Sequence, residues 1–180
     1  MALRFGYRES VDIDLFCHAG FSQEFLRQSL EESFRGISFT NVSGAGVFAN
    51  YNGVRVDFVK HPQAWLKGYE TLEKVRLASL EDISAMKINA IMGRGSKKDF
   101  SDLLFLHENG VPLIQSLGNF VKKYGKDLLF SAVRSLNYFE DAKGTFDPVY
   151  LNGWTWDYVE GRMTLFSKEV ALRLAKGKEF

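Results

Sequence analysis

The apolar positions change period once along this chain. Val11-Asp-Ile-Asp-Leu-Phe16 alternates apolar and acidic residues, the period of a strand with two unlike faces. From Ser22 to Phe34 the spacing becomes helical, with Phe25, Leu26, Leu30 and Phe34 on one stripe and Gly36 beyond the end. Three short strand-like runs follow: Ile37 to Val42, Val47 to Tyr51 and Val54 to Val59. Asn52-Gly53 between the last two is a strong hairpin signal, because both residues tolerate the left-handed backbone of a tight turn. Leu72 to Ala78 reads as one further strand. After Ser79 the pattern is helical: Leu80 to Met92, Lys97 to Glu108, Leu113 to Tyr124, Lys126 to Phe139 and Thr164 to Ala175. Gly93 and Gly95 end the first of these, and Gly110 and Pro112 end the second. Thr145 to Asp157, with two tryptophans and Pro148, reads as a packed irregular segment. The pattern predicts a mixed α/β half followed by a helical half, with a boundary near Ser79.

Composition narrows the function classes. At 180 residues the chain suits one domain or two small ones. With 46% hydrophobic residues it can build a real core, since chains of this length bury roughly 70% of their unfolded surface. Lys+Arg 23 against Asp+Glu 22 gives a net charge of +1, which argues against nucleic-acid binding by bulk charge but leaves a local basic patch open. A single cysteine, Cys17, excludes an internal disulfide and fits a reducing compartment. Charges at Arg4, Arg8, Glu9, Asp12 and Asp14 interrupt any secretory or membrane-spanning stretch, so a cytoplasmic protein without a membrane partner is expected.

The chemistry-bearing residues are mostly acids. Asp12 and Asp14 are two apart on a strand, so both carboxylates project to one side, about 6.6 Å apart along it. Val11, Ile13 and Leu15 project to the other side. Like charges so placed repel, and a hard cation such as Mg²⁺ offsets the repulsion. A solvent-facing sheet edge is the plain alternative. Asp57 shares a strand face with Arg55 and Val59, opposite Val54, Val56 and Phe58. Three carboxylates from neighbouring strands are the donor set of a two-metal phosphoryl-transfer site. A solvated strand position accounts for Asp57 as well.

In the helix from Leu80, Lys87 falls inside the apolar stripe of Leu80, Ile83, Ala90 and Ile91, and Arg94 would follow on the same side. Such a lysine either snorkels or reaches into a cleft to hold phosphate. Asp99 and Asp102 share a helix face and repel unless a base compensates. Ser96-x-x-Asp99 and Ser79-x-x-Asp82 have the form of capping boxes, which accounts for Asp99. Asp102 is left either solvated or paired with Lys98. His18, His61 and His107 have no metal-ligand spacing, there is no P-loop, and Gly44-Ala-Gly46 is at best a weak phosphate loop.

Two segments carry a family resemblance. Ala2-Leu-Arg-Phe-Gly-Tyr-Arg8-Glu-Ser10-Val-Asp12-Ile-Asp14-Leu-Phe16 resembles the first motif of the AbiEii/AbiGii toxin-type nucleotidyltransferases. Leu80-Glu-Asp-Ile-Ser-Ala-Met-Lys87, with Ala90, Arg94-Gly and Lys98-Asp99-Phe-x-Asp102-Leu, resembles the second. The match spans about residues 1 to 107. The resemblance implies an α+β, DNA-polymerase-β-like nucleotidyltransferase fold. Its core would occupy residues 1–78, and a helical domain, residues 79–180, would contribute Lys87 and the Arg94–Asp102 segment. Asp12, Asp14 and Asp57 would hold Mg²⁺, Lys87 would contact phosphate, and Asp99 or Asp102 would complete the catalytic set. Arg8, Ser10, Arg94 and Lys98 would bind substrate. It further implies an NTP substrate, a tRNA or protein acceptor, and an antitoxin partner in a toxin–antitoxin or phage-defence system. The family carries a Gly-Gly-Thr or Gly-Ser turn before the segment matching Ala2. Because the chain starts at Met1, the core is expected to be N-terminally incomplete and to bind Mg²⁺–NTP weakly.

Three other classes compete. A catalytically degenerate copy of the same fold would act as a protein-binding module. A metal-dependent nuclease would use Asp57-Phe-Val-Lys60, whose spacing is one residue too long. A glycosyltransferase would use Asp-x-Asp, but the short chain and the hairpin after that strand disfavour it.

Overall fold

The alternating stretch becomes strand β1 (Asp12–Cys17) in a computed structural model that describes residues 1–177. Helix α1 (Ala2–Phe5) precedes it, and α2 (Gln23–Ser33), β2 (Ser38–Ser43), β3 (Gly46–Tyr51) and β4 (Val54–Lys60) follow. The four strands form one sheet in the order β1-β4-β3-β2. β1 runs parallel to β4, and the other neighbours are antiparallel, so the sheet is mixed.

The period of two decides which side chains go inside. Val47 and Ala49 of β3 have no exposed surface, on the sheet face shared with Val56 and Phe58 of β4. The sequence stripe of α2 supplies Leu30 as its buried residue, and Phe34 meets Tyr51 edge-on at 5.3 Å. The Ser22 hydroxyl accepts from the Phe25 N–H and starts α2 one residue after the cap. Asn52 and Gly53 take φ of 52° and 84°, the left-handed pair that a two-residue hairpin turn needs. At Gly46 the constraint is space: a Cβ there would lie 2.1 Å from the Phe58 carbonyl oxygen. Gly46 thus belongs to strand packing rather than to a phosphate loop.

Chain contacts divide the molecule into Ser10–Ala64, the sheet unit just described, and Met1–Glu9 together with Trp65 to the C-terminus. The division falls at Trp65 rather than near Ser79, and the first nine residues go with the helices. In the second unit, Tyr7 and Glu9 bond to a C-terminal segment: the Leu151 N–H donates to the Tyr7 carbonyl, and the Glu9 N–H donates to that of Val149. The segment expected as one strand is a hairpin, β5 (Tyr69–Leu72) and β6 (Val75–Ala78), turned by Glu73 and Lys74 at positive φ.

The helices are α3 (Leu80–Gly93), α4 (Lys97–Glu108), α5 (Leu113–Tyr124), α6 (Leu129–Ser135), α7 (Glu140–Lys143) and α8 (Trp156–Ala175). Lys126 to Phe139 is thus shorter as an α-helix than expected, beginning as a 3₁₀ turn, and α8 starts eight residues before Thr164. Ile88, Phe100, Leu103, Leu117, Phe120 and Met163 make a core from α3, α4, α5 and α8, joined by Leu136 at the end of α6. The buried face of α3 is Ser84, Ala85, Ile88 and Ile91 with Asp82, so only Ile91 of the expected stripe is fully inside. The Asp82 carboxylate is fully buried and accepts from Lys123 Nζ at 2.8 Å, the Leu66 and Lys67 N–H groups and Ser79 Oγ. It hangs the chain entering β5 on the first turn of α3. Among the described residues no helix is long and apolar enough to cross a membrane.

Gly46→Ala should destabilise the sheet unit, since the Phe58 carbonyl is backbone and cannot swing away. A loss of about 1–3 kcal/mol is expected, the usual cost of overpacking, and would be read from urea unfolding of the full chain.

Candidate active site

In the sheet unit, strand register sets the geometry. Asp14 lies beside Asp57 on the neighbouring parallel strand, and Asp12 lies beside Arg55. Residues paired across neighbouring strands point to the same face. Asp12, Asp14, Arg55 and Asp57 therefore share one sheet face, while Ile13, Leu15 and Val56 take the other. Ser10 Oγ donates to Asp12 Oδ1 at 2.9 Å, so the serine orients the first acid of the pair.

Asp57 is the buried member, with 3% of its surface exposed. Arg55, two residues earlier on the same strand, forks it: Nε lies 3.0 Å from both carboxylate oxygens, and Nη2 also donates to Oδ2. The arginine side chain itself remains 55% exposed. The Asp57 hydrogen bond raises the guanidinium pKa against the opposing effect of burial, and the charges of Asp57, Asp12 and Asp14 add to it. The acid face is thus already pulling a cation toward itself. Among the described residues no three His, Cys, Asp or Glu side chains are drawn into a metal-ligand cluster. With Arg55 on Asp57, the protein's own cation sits on that carboxylate.

In the helical unit the second signature makes a buried ion network. Asp102 has no exposed surface and receives Arg8 in a two-pronged pair, Nε to Oδ1 and Nη2 to Oδ2, both at 2.9 Å. Lys87 Nζ reaches Asp102 Oδ2 at 2.6 Å, and the Tyr7 hydroxyl donates to Oδ1. Asp99, equally buried, receives Lys87 at 3.1 Å, Arg94 on both oxygens at 2.8 and 3.1 Å, and Ser96 Oγ at 2.6 Å. The Ser96 hydroxyl thus donates to the aspartate, whereas a capping-box serine accepts from the backbone. Asp102 pairs with Arg8, Lys87 and Tyr7 and not with Lys98, which lies half-buried on α4.

Burial alone would raise both carboxyl pKa values. For Asp99, Arg94, Lys87 and Ser96 reverse this and hold it down at about 2. For Asp102, the Lys87 charge and the Arg8 pair drive it well below the usual carboxylate range. Burial opposes the charge on Lys87, but Asp102 and Asp99 outweigh it and raise its pKa. Lys87 therefore neither snorkels nor packs as a bare stem: two of its three N–H donors go to carboxylates. The residue that sequence reasoning missed is Tyr7. Its ring stacks on Phe105 at 4.1 Å, and its buried hydroxyl, pushed up in pKa by burial and by Asp102, completes that carboxylate. Its only sequence signal was its position beside Arg8.

Residues 1–155 match the family described as nucleotidyl transferase AbiEii toxin, type IV TA system. The uncharacterized protein aq_aa25 of Aquifex aeolicus is 31% identical over 148 residues, covering 79% of this chain and 71% of that protein. A crystal structure from H. pylori, of a protein assigned as a nucleotidyltransferase, superposes with a TM-score of 0.53 at 18% identity. It covers 99% of this chain and 85% of the other, which shows a shared α+β nucleotidyltransferase fold.

The network sets the acid stability. Depressed carboxyl pKa values stabilise the fold above the unfolded value near 4, and that contribution disappears as pH falls toward 2. Asp99 alone accounts for about 2 kcal/mol of this. Asp102→Asn leaves Arg8 and Lys87 without their shared counter-charge and should cost about 3–5 kcal/mol at neutral pH. It should also flatten the decline between pH 4 and 2 in thermal melts.

Proposed function

The chain belongs to the AbiEii nucleotidyltransferase toxin family, and we propose that it transfers a nucleoside monophosphate from an NTP to an RNA, such as tRNA, or to a protein acceptor. The observation that carries this is the register that sets Asp14 beside Asp57 with Asp12 on the same face. The proposed setting is the cytoplasm, with an antitoxin protein as the partner that restrains the activity.

The donor set fits Mg²⁺. It consists of carboxylates without sulfur or imidazole, the hard oxygen ligands this ion takes. Arg55 supplies an observation in its favour: the face recruits positive charge even from its own strand. Asp12, Asp14 and Asp57 would hold the ion, which supplies charge neutralisation of the triphosphate and a more acidic acceptor hydroxyl. For Asp57 to act as a ligand, Arg55 swings off it, and its exposed guanidinium is then available to a phosphate. The acceptor oxygen forms a bond to the α-phosphorus, the bond to the β-phosphate oxygen breaks, and pyrophosphate leaves with the electron pair. The hydroxyl proton passes to solvent or to an aspartate of the acid face. Lys87 of the helical unit is proposed separately as an anion contact. Asp99 and Asp102 keep its ammonium charged and in place, with Arg8 and Arg94 balancing them. Lys98 is a candidate substrate contact.

The clamp of Arg55 on Asp57 also favours a second reading, a catalytically degenerate protein-binding module in which the pair is permanent. Incubation of the full chain with Mg²⁺, each α-labelled NTP and total RNA or protein separates the two. Label incorporation is expected, falling by at least about 100-fold in Asp14→Asn and Asp57→Asn, since even groups that only support metal ligands cost 10–100-fold. EDTA should abolish it. No incorporation with any NTP, or incorporation indifferent to both substitutions, overturns the enzyme reading.

A further inference from the structure

The row that contains Asp14 and Asp57 does not stop there. Phe48 of β3 is the register partner of Asp57, and Asn41 of β2 is the partner of Phe48. Asp14, Asp57, Phe48 and Asn41 thus form one lateral line across all four strands, on one face, at steps of about 4.8 Å. A shallow, open surface recess of ≈ 440 Å³ lies against the row, lined by Thr40, Asn41, Phe48 and, from the adjacent row, Arg55. The register shift between Phe39 and Asn41 makes Thr40 an extra residue in β2, and its hydroxyl donates to the Phe48 carbonyl at 3.2 Å. Bulges of this kind re-aim side chains next to sites.

We propose that this recess is a nucleobase subsite, the base stacking on Phe48 with its polar edge on Asn41. The inference rests on the nucleotidyl-transfer reading and deepens it. A reacting α-phosphate or ribose hydroxyl is joined to its base through a single sugar. The base therefore lies within one sugar's reach of the carboxylates, and the row places Phe48 within that reach. An aromatic face accepts any base, a carboxamide offers both a donor and an acceptor to the base edge, and Arg55 carries positive charge from the acid row to the rim of the recess. The base belongs either to the NTP or to the acceptor strand.

Phe48→Leu keeps an apolar residue and removes the ring face; Asn41→Ala changes an exposed position. Binding to the full chain with Mg²⁺ would be measured for NTPs, a single-stranded RNA hexamer and inorganic tripolyphosphate, after thermal melts establish which variants fold. Phe48→Leu is expected to weaken NTP or hexamer binding roughly 5- to 150-fold, equivalent to about 1–3 kcal/mol of stacking, and to leave tripolyphosphate unchanged. Asn41→Ala should weaken the same ligand roughly 2- to 10-fold, and it carries the test alone if Phe48→Leu does not fold. Loss confined to NTPs assigns the donor base, and loss confined to the hexamer assigns the acceptor base. Unchanged affinity for both in the folded variants, beside a wild type that binds them, overturns the subsite and leaves the proposed function standing. A wild type that binds none of the three ligands overturns both.

Discussion

A carboxylate taken out of water has to be met by positive charge or by hydrogen-bond donors, and this requirement organises both parts of the chain. In the helical unit it is met three times over. Asp82 takes Lys123, Asp99 takes Arg94 and Lys87, and Asp102 takes Arg8 and Lys87. Two of the three tie elements distant in sequence: α3 to α5 through Asp82, and residues 7–8 to α4 through Asp102. In the sheet unit the demand is met by Arg55, from the same strand as Asp57. The contrast has physical content. Arg8, Lys87 and Lys123 are largely buried partners whose release costs the fold, whereas Arg55 is mostly exposed, so its release costs little on its own side but leaves the buried Asp57 in need of another cation.

Much of this was legible where a local rule decides the outcome. The hairpin at Asn52-Gly53, the limits of α4 and α5 and the shared face of Asp12 and Asp14 follow from turn chemistry, helix punctuation and the period of two. Asp57 joining them needed only a register, and register follows from burying Val47, Ala49 and Val56 together. What escaped was decided by tertiary contact. Residues 1–9 read as the entry to a strand unit, yet their partners are Asp102, Phe105 and the segment around Tyr150. Tyr7 looked like one more aromatic because nothing local reveals that its hydroxyl meets a carboxylate 95 positions away.

The acids at the start of α3 and α4 show how one sequence form yields different structures. Both follow a serine at capping spacing. Both serine hydroxyls donate to the aspartate three residues on, but only Ser79 also accepts from that residue's N–H as a cap should. Cationic partners draw each aspartate into the interior, Lys123 in one case and Arg94 with Lys87 in the other. The local motif marks where the helix begins. The distant cations decide what its acid does.

β1 has one further property. It is paired on one side only within its sheet, and Ile13 and Leu15 along it, with Val11 just before it, are substantially exposed. An apolar edge strand of this kind is a template on which another chain can add a strand, the usual start of aggregation. Asp12 and Asp14 interrupt that template at alternate positions, and a strand stacking in register would bring like charges face to face. The two carboxylates proposed to hold the metal thus also place like charges where an added strand would pair. Edge protection and the proposed chemistry then fall on the same two positions, so neutralising them touches both at once.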